Sequence, residues 1–223
     1  PEHAPIERYL DDKDMNLDFI LITHHHSDHI DGINHLKLKY SPKVIGAKRD
    51  RHRLPQLDIE VEEGKQLAIG SKTFDIYDVD GHTVGHIAYS LLEDKALFTG
   101  DSLMVMGCGR LFEGSPEDMW KSLEKLKQLP EDFMIYSGHE YTKSNIEFAV
   151  TVDPQNEKLI SRRKKELEQL QKGLPTVPST LREELETNPF LRESELSIVD
   201  HLDMADLDPI SRFAKIRELK DNF

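Results

Sequence analysis

Thr23-His24-His25-His26-Ser27-Asp28-His29 is the stretch that decides the fold. Immediately before it runs Phe19-Ile20-Leu21-Ile22, an apolar segment short enough to be one buried strand. The cluster therefore sits where a strand ends and a loop begins. Side chains two apart on an extended segment point the same way, so His24 and His26 can face one ion together. Asp28 and His29 are adjacent and must diverge, unless the loop turns to bring them toward a second ion. That arrangement suits two metals better than one. A solvated histidine tract would be expected at a terminus and without the intervening Asp.

The same grammar recurs further along. Phe74-Asp75-Ile76-Tyr77-Asp78-Val79 leads into Gly81-His82-Thr83, Ala96-Leu97-Phe98 into Thr99-Gly100-Asp101, and Phe133-Met134-Ile135-Tyr136 into Ser137-Gly138-His139. Each strand-like run ends in a His or Asp with a glycine beside it, where the backbone can turn sharply. Taken alone, a Gly-His-Thr or a Gly-Asp is more often an ordinary turn. Strand ends that deliver His and carboxylate side chains to one rim of a sheet are a metal-site architecture. Imidazole and carboxylate without thiolate suit zinc, iron or manganese.

The 223 residues are 37% hydrophobic and 32% charged, a globular composition with room for a real core. No apolar run approaches the roughly 18 residues of a membrane span. The net charge of −13 argues against nucleic acid as a partner. Cys108 is the only cysteine, which excludes an internal disulfide, favours a reducing compartment and reads as a small packing residue. Up to about residue 140 short apolar runs alternate with Gly-rich turns and one clear helix. Ser115-Pro116-Glu117-Asp118 opens that helix and Pro130 ends it. Beyond Tyr141 the strand signals fade. Glu157 to Gln171 reads as a helix closed by Gly173, Thr180-Leu181-Arg182-Glu183 as a capping box opening another, and Pro209 to Lys220 as a last one. Lys158, Arg162, Arg163, Lys164, Lys165 and Lys172 cluster on one of these helices and read as a solvated face. The expected organisation is an α/β metal-binding domain over residues 1–140 followed by a helical domain over residues 141–223.

The Thr-His-x-His-x-Asp-His cluster, Gly81-His82-Thr83-Val84-Gly85-His86-Ile87, Thr99-Gly100-Asp101 and Gly138-His139 resemble the metallo-β-lactamase superfamily. More narrowly, the chain resembles glyoxalase II, the hydroxyacylglutathione hydrolases. That resemblance rests on Gly107-Cys108-Gly109-Arg110-Leu111-Phe112-Glu113-Gly114, Gly138-His139-Glu140-Tyr141-Thr142, Asn188-Pro189-Phe190-Leu191-Arg192 and the ending Arg217-Glu218-Leu219-Lys220-Asp221-Asn222-Phe223. It implies an αββα sandwich followed by helices, and two divalent ions, zinc first, with iron or manganese also accepted. His24, His26 and His82 would hold one ion, Asp28, His29 and His139 the other, with Asp101 bridging. A hydroxide between the ions would attack the thioester of an S-(2-hydroxyacyl)glutathione such as S-D-lactoylglutathione, releasing glutathione and a 2-hydroxy acid. Asp28 and Asp101 are the carboxylates expected to take part in catalysis. Arg110, Phe112, Tyr141, Arg217 and Lys220 would contact the glutathione moiety, although Phe112 stands where some relatives carry Tyr and offers no hydroxyl.

Ile210, Phe213, Arg217 and Lys220 fall along one helical stripe, which places the last two cations beside apolar anchors. His25 and His86 read as supports for the site, and His3, His35, His52 and His201 as surface residues. Relatives carry early strands before the segment that Pro1 opens. Their absence is expected to expose sheet edges and apolar surface, with poor solubility or weak activity. The expected enzyme is a cytoplasmic monomer acting on a small thioester, with no nucleic acid or membrane partner. Two alternatives are a mononuclear-iron persulfide dioxygenase and an inactive, truncated metal-binding remnant.

Overall fold

The computed structural model describes residues 2–223. Its framework is a pair of sheets packed face to face. The smaller is parallel, in the order β1 (Phe19–Leu21), β2 (Lys43–Ala47), β3 (Ile59–Val61). The larger contains β4 (Gln66–Ile69), β5 (Lys72–Asp78), β6 (Ile87–Leu91) and β7 (Ala96–Gly100) as an antiparallel run. After the short hairpin β8 (Leu103–Met104) and β9 (Gly107–Cys108), β10 (Met134–Ser137) joins that sheet parallel to β7. A final β11 (Ser179–Thr180) pairs with β10, giving the order β11-β10-β7-β6-β5-β4.

Period-two patterning explains the layers. On β6, Ile87 and Tyr89 pack with Ile45, Ala47 and Val61 of the small sheet, while Ala88 points the other way into the helical core. The outer face of the small sheet is covered by α3 (Ile33–Tyr40), through Ile33 against Ile22 and Val44. The outer face of the large sheet meets α4 (Pro116–Leu126), α5 (Thr142–Val152), α7 (Leu181–Thr187) and α9 (Pro209–Asp221). There Met119, Leu123, Phe148, Leu181 and Phe213 pack with Leu97 and Ile135. The result is the expected αββα order. The C-terminal helices, with α6 (Glu157–Gln171) and α8 (Leu196–His201) among them, share this core with the sheet.

Two helix starts form as their sequences predict. Ser115 and Asp118 make a reciprocal capping box on α4, and Thr180 and Glu183 another on α7. The α4 helix ends at Leu126 rather than at Pro130, since residues 127–129 turn before the proline. The expectation of a single helix before residue 140 is incomplete. Helices α1 (Ala4–Asp12), α2 (Ser27–Ile30) and α3 also lie there. Their patterns are weak because α1 buries only Leu10 and α3 only Ile33 and Leu36. An apolar groove of about 580 Å³ opens beside the two sheets, lined by Leu21, Phe74, Tyr89 and Leu91 and by the stacked rings of Phe98 and Tyr136. Among the described residues, no helix is long and apolar enough to cross a membrane.

Candidate metal centre

Each proposed ligand stands just beyond a strand. His24 and His26 follow β1, and Asp28 and His29 ride on the single turn of α2. His82 lies between β5 and β6, Asp101 follows β7, and His139 follows β10. Two glycines make the convergence possible. Gly100 has φ +51°, and a Cβ there would lie 2.7 Å from Thr23 Oγ1 and 2.8 Å from His86 Cε1. A Cβ on Gly138 would strike Asp101 Oδ1 and come within 2.7 Å of His29 Cε1.

The ligand atoms of His24, His26 and His82 all lie within 4.8 Å of one another, and so do those of Asp28, His29 and His139. A third grouping at the same spacing, His24, His29 and Asp101, overlaps both. His82 Nε2 is 2.9 Å from His26 Nδ1, and His139 Nε2 is 2.9 Å from Asp28 Oδ2. Asp101 stands between the groups, with Oδ1 3.5 Å from His29 Nε2 and Oδ2 3.4 Å from both His82 Nε2 and His139 Nε2.

The chemistry of these atoms fits cations. His24 Nε2 and Asp101 Oδ1 are buried without a hydrogen-bond partner among the described residues. A buried polar atom left in that state is costly unless something occupies the space between the ligands. His82 donates Nδ1–H to the Arg110 carbonyl at 2.8 Å, which leaves the Nε2 lone pair facing the cluster. Burial, reinforced by the imidazoles of His86, His29, His82 and His26, holds His24 far below the usual imidazole range. Burial also lowers His82 against the pull of Asp101. Both rings are therefore neutral and able to ligate. Burial pushes the Asp101 carboxyl upward, but the hydrogen bond and charge of His29, with His139 and His82, outweigh it and keep the group ionised.

The supports of this cluster come from distant segments. His86 is fully buried, stacks on His24 with centroids 4.5 Å apart, and accepts the Asp101 backbone N–H at Nε2. Burial lowers its pKa to about 3, so it remains a neutral acceptor. His25 turns away from the ligands toward Asp50 at 3.2 Å and Glu113 at 3.4 Å, and Arg53 ties those two carboxylates together. Asp50, Arg53 and Glu113 had no signal in the sequence, because nothing local pairs them with His25.

A cleft of about 720 Å³ runs from His26, Asp28, His82, Asp101 and His139 to Arg217 and Lys220. Tyr141 stacks on His139 with centroids 4.8 Å apart, and Phe112 sets its edge against His26 and His82. Arg110 is exposed, with Nε 3.4 Å from Asp221. Arg217 is buried and engaged, donating to the Cys108 carbonyl at 3.0 Å and to Asp221 at 2.9 Å, with its guanidinium over the Phe190 ring. Lys220 is half-buried and donates to Ser144 at 2.9 Å. Cys108 lies buried beside Arg217, consistent with a packing role.

A sandwich with these ligand groups on one rim defines a class, and residues 1–139 match the family described as metallo-beta-lactamase superfamily. The BLEG-1 B3 metallo-beta-lactamase shares the fold at TM-score 0.63 and 22% identity, over 84% of this chain and 83% of its own. Residues 140–223 match the family described as hydroxyacylglutathione hydrolase C-terminus. A hydroxyacylglutathione hydrolase of Ruegeria pomeroyi is 51% identical over all of this chain and 88% of its own length, and one of Roseobacter denitrificans is 48% identical over the same shares. The chain belongs to the hydroxyacylglutathione hydrolase family, metal-dependent thioester hydrolases of the glyoxalase pathway.

Proposed function

We propose that the centre takes two divalent ions, one on His24, His26 and His82 and one on Asp28, His29 and His139, with Asp101 serving both. Zinc suits this donor set first, and iron or manganese next. Bound there, the pair would ionise a water near neutral pH and polarise the thioester carbonyl. The side chains prepare that chemistry. Imidazoles held neutral present lone pairs, Asp101 stays charged, and Asp28, the more open of the two carboxylates, can take up a proton at Oδ1. The departing thiolate needs no dedicated acid, since a thiol pKa is about 8.5.

The cleft that joins the ligands to Lys220 carries this reading. S-(2-hydroxyacyl)glutathione, with S-D-lactoylglutathione as the expected substrate, would place its thioester at the histidines and its carboxylates toward Lys220 and Arg110. Tyr141 and Phe112 would wall the cleft, and Arg217 would fix its floor through the Cys108 carbonyl. Residues 1–140 then supply the metal chemistry and residues 141–223 most of the substrate grip. We also take the enzyme to be a cytoplasmic monomer without a nucleic-acid partner, in keeping with its net charge of −13 and lone Cys108.

The test is metal content and thioester cleavage measured in one purified sample. The expected result is two ions per chain, hydrolysis lost on chelation and regained on returning the metal. One iron per chain, with oxygen consumed on glutathione persulfide and no hydrolysis, would overturn it. The family match at about half identity does not favour that dioxygenase alternative.

Lys220 gives a second check. Burial first, then the Arg217 charge, lowers its pKa to about 8, so the cation is complete below that pH and is lost above it. KM should therefore rise as pH climbs through about 8. Lys220→Met should raise KM about tenfold with kcat nearly unchanged, the scale of one charge-assisted hydrogen bond. A KM that stays flat across that pH range in the wild type, together with native KM in the variant, would remove Lys220 from the substrate site.

A further inference from the structure

A second convergence of ligand atoms lies outside the cleft. His3 caps the N-terminal end of α1, and Glu7 follows one helical turn later, its N–H bonded to the His3 carbonyl. His35 comes from α3, far away in sequence. Read along the chain, His3 and His35 are isolated surface residues. In the fold their rings lie face to face, centroids 3.5 Å apart and 17° from parallel. His35 Nε2 is 3.4 Å and His3 Nε2 is 4.0 Å from one atom, Glu7 Oε1. The three side chains meet the same spacing as the catalytic groups, with ligand atoms within 4.8 Å of one another.

Glu7 Oε1 is buried and has no hydrogen-bond partner among the described residues. That state is shared with His24 Nε2 and Asp101 Oδ1, two atoms that converge on the catalytic ions. Both nitrogens near Glu7 Oε1 approach it without bonding it, as atoms do when they point at a common centre. The other oxygen, Oε2, accepts from Lys39 at 3.1 Å, which turns Oε1 inward as a single ligand. The Lys39 charge is offset in turn by Asp11 at 3.3 Å. Tetrahedral zinc with bonds of about 2.0–2.1 Å needs ligand atoms roughly 3.4 Å apart, close to the separations seen here. His35 is more than half exposed, which leaves a path for the ion and a place for a water as fourth ligand.

We propose that His3, Glu7 and His35 form a separate site for a divalent transition ion of the zinc class, joining α1 to α3. The net charge of −13 raises the local concentration of such cations. Its occupant would be structural. The ion would fasten α1 to α3, the helix that follows the Asp28 and His29 turn.

The experiment uses the enzyme with its catalytic centre loaded, equilibrated with zinc ion at near-neutral pH and freed of loose metal. Zinc per chain, thioesterase activity and Tm are compared in wild type, His35→Ala and Glu7→Gln. The wild type should hold one zinc more per chain than either variant, with activity equal in all three. Added zinc should raise Tm in the wild type and not in His35→Ala. Equal zinc in the wild type and His35→Ala, or an equal Tm response, overturns the proposal. A failure of the two-ion reading of the catalytic centre would shift every count together and leave this difference intact.

Discussion

Asp101→Asn is expected to lower kcat/KM by about 10³-fold or more and to leave the purified enzyme short of metal, on the scale of losing a principal electrostatic stabiliser. The substitution keeps the side chain's shape and removes its charge. Asp101 is nearly inaccessible, and its two oxygens reach His29 on one side and His82 and His139 on the other. It alone touches both ligand groups through a formal charge. An amide can offer one neutral oxygen, so each group would keep its histidines but lose the anion between them. Metal per chain by elemental analysis, beside S-D-lactoylglutathione hydrolysis, checks this. Two retained ions and turnover within tenfold of wild type would show that Asp101 does not serve both.

The metal ligands were legible in the sequence because each follows an apolar run and carries its own glycine. Strand-end position and residue type are local properties, and a single stretch displays both. What orients those ligands is not local. His82 depends on the Arg110 carbonyl, the Asp101 backbone on His86, and His25 on Asp50 and Glu113. Such pairs exist only after the strands have brought separate segments together. Helical periodicity marked the stripe that holds Arg217 and Lys220, but it could not tell that one is buried and bonded while the other stays half-open. The early helices escaped for a different reason. Leu38 points into solvent beside the buried Leu36, and α1 hides a single leucine, so neither presents a continuous apolar face.

The basic helix α6 shows the same limit within one element. Lys158, Arg163, Lys164 and Lys165 form the solvated face that their charges suggest, but Arg162 is buried among them. It donates to Thr187 at 2.6 Å, to Ser179 at 2.8 Å and to Glu184 at 2.7 Å. Glu184 is wholly inaccessible, and its other oxygen accepts the Met106 N–H at 2.8 Å and the Asn188 amide at 3.0 Å. Asn188 also donates to the Met104 and Gly107 carbonyls. The network therefore runs from α6 to the hairpin β8–β9, whose Cys108 carbonyl receives Arg217 at the floor of the cleft.

Arg162→Ala should destabilise the fold by about 3–5 kcal/mol, because it strands the Glu184 carboxylate in a site that water cannot reach. For a chain of this size that is a fall in Tm of roughly 6–20 °C. Most of the loss is the uncompensated charge rather than the missing contact, and this separates the prediction from a simple cavity effect. Glu184→Gln introduced beside Arg162→Ala should recover part of the Tm, although it is destabilising alone. Thermal melts of the wild type, both single variants and the double variant measure the coupling directly. Additive losses would mean that the two groups act independently and that no charge pair holds the helices to the hairpin. Strong coupling would place this ion pair among the forces that shape the glutathione end of the cleft, remote from the metals but joined to them through the hairpin.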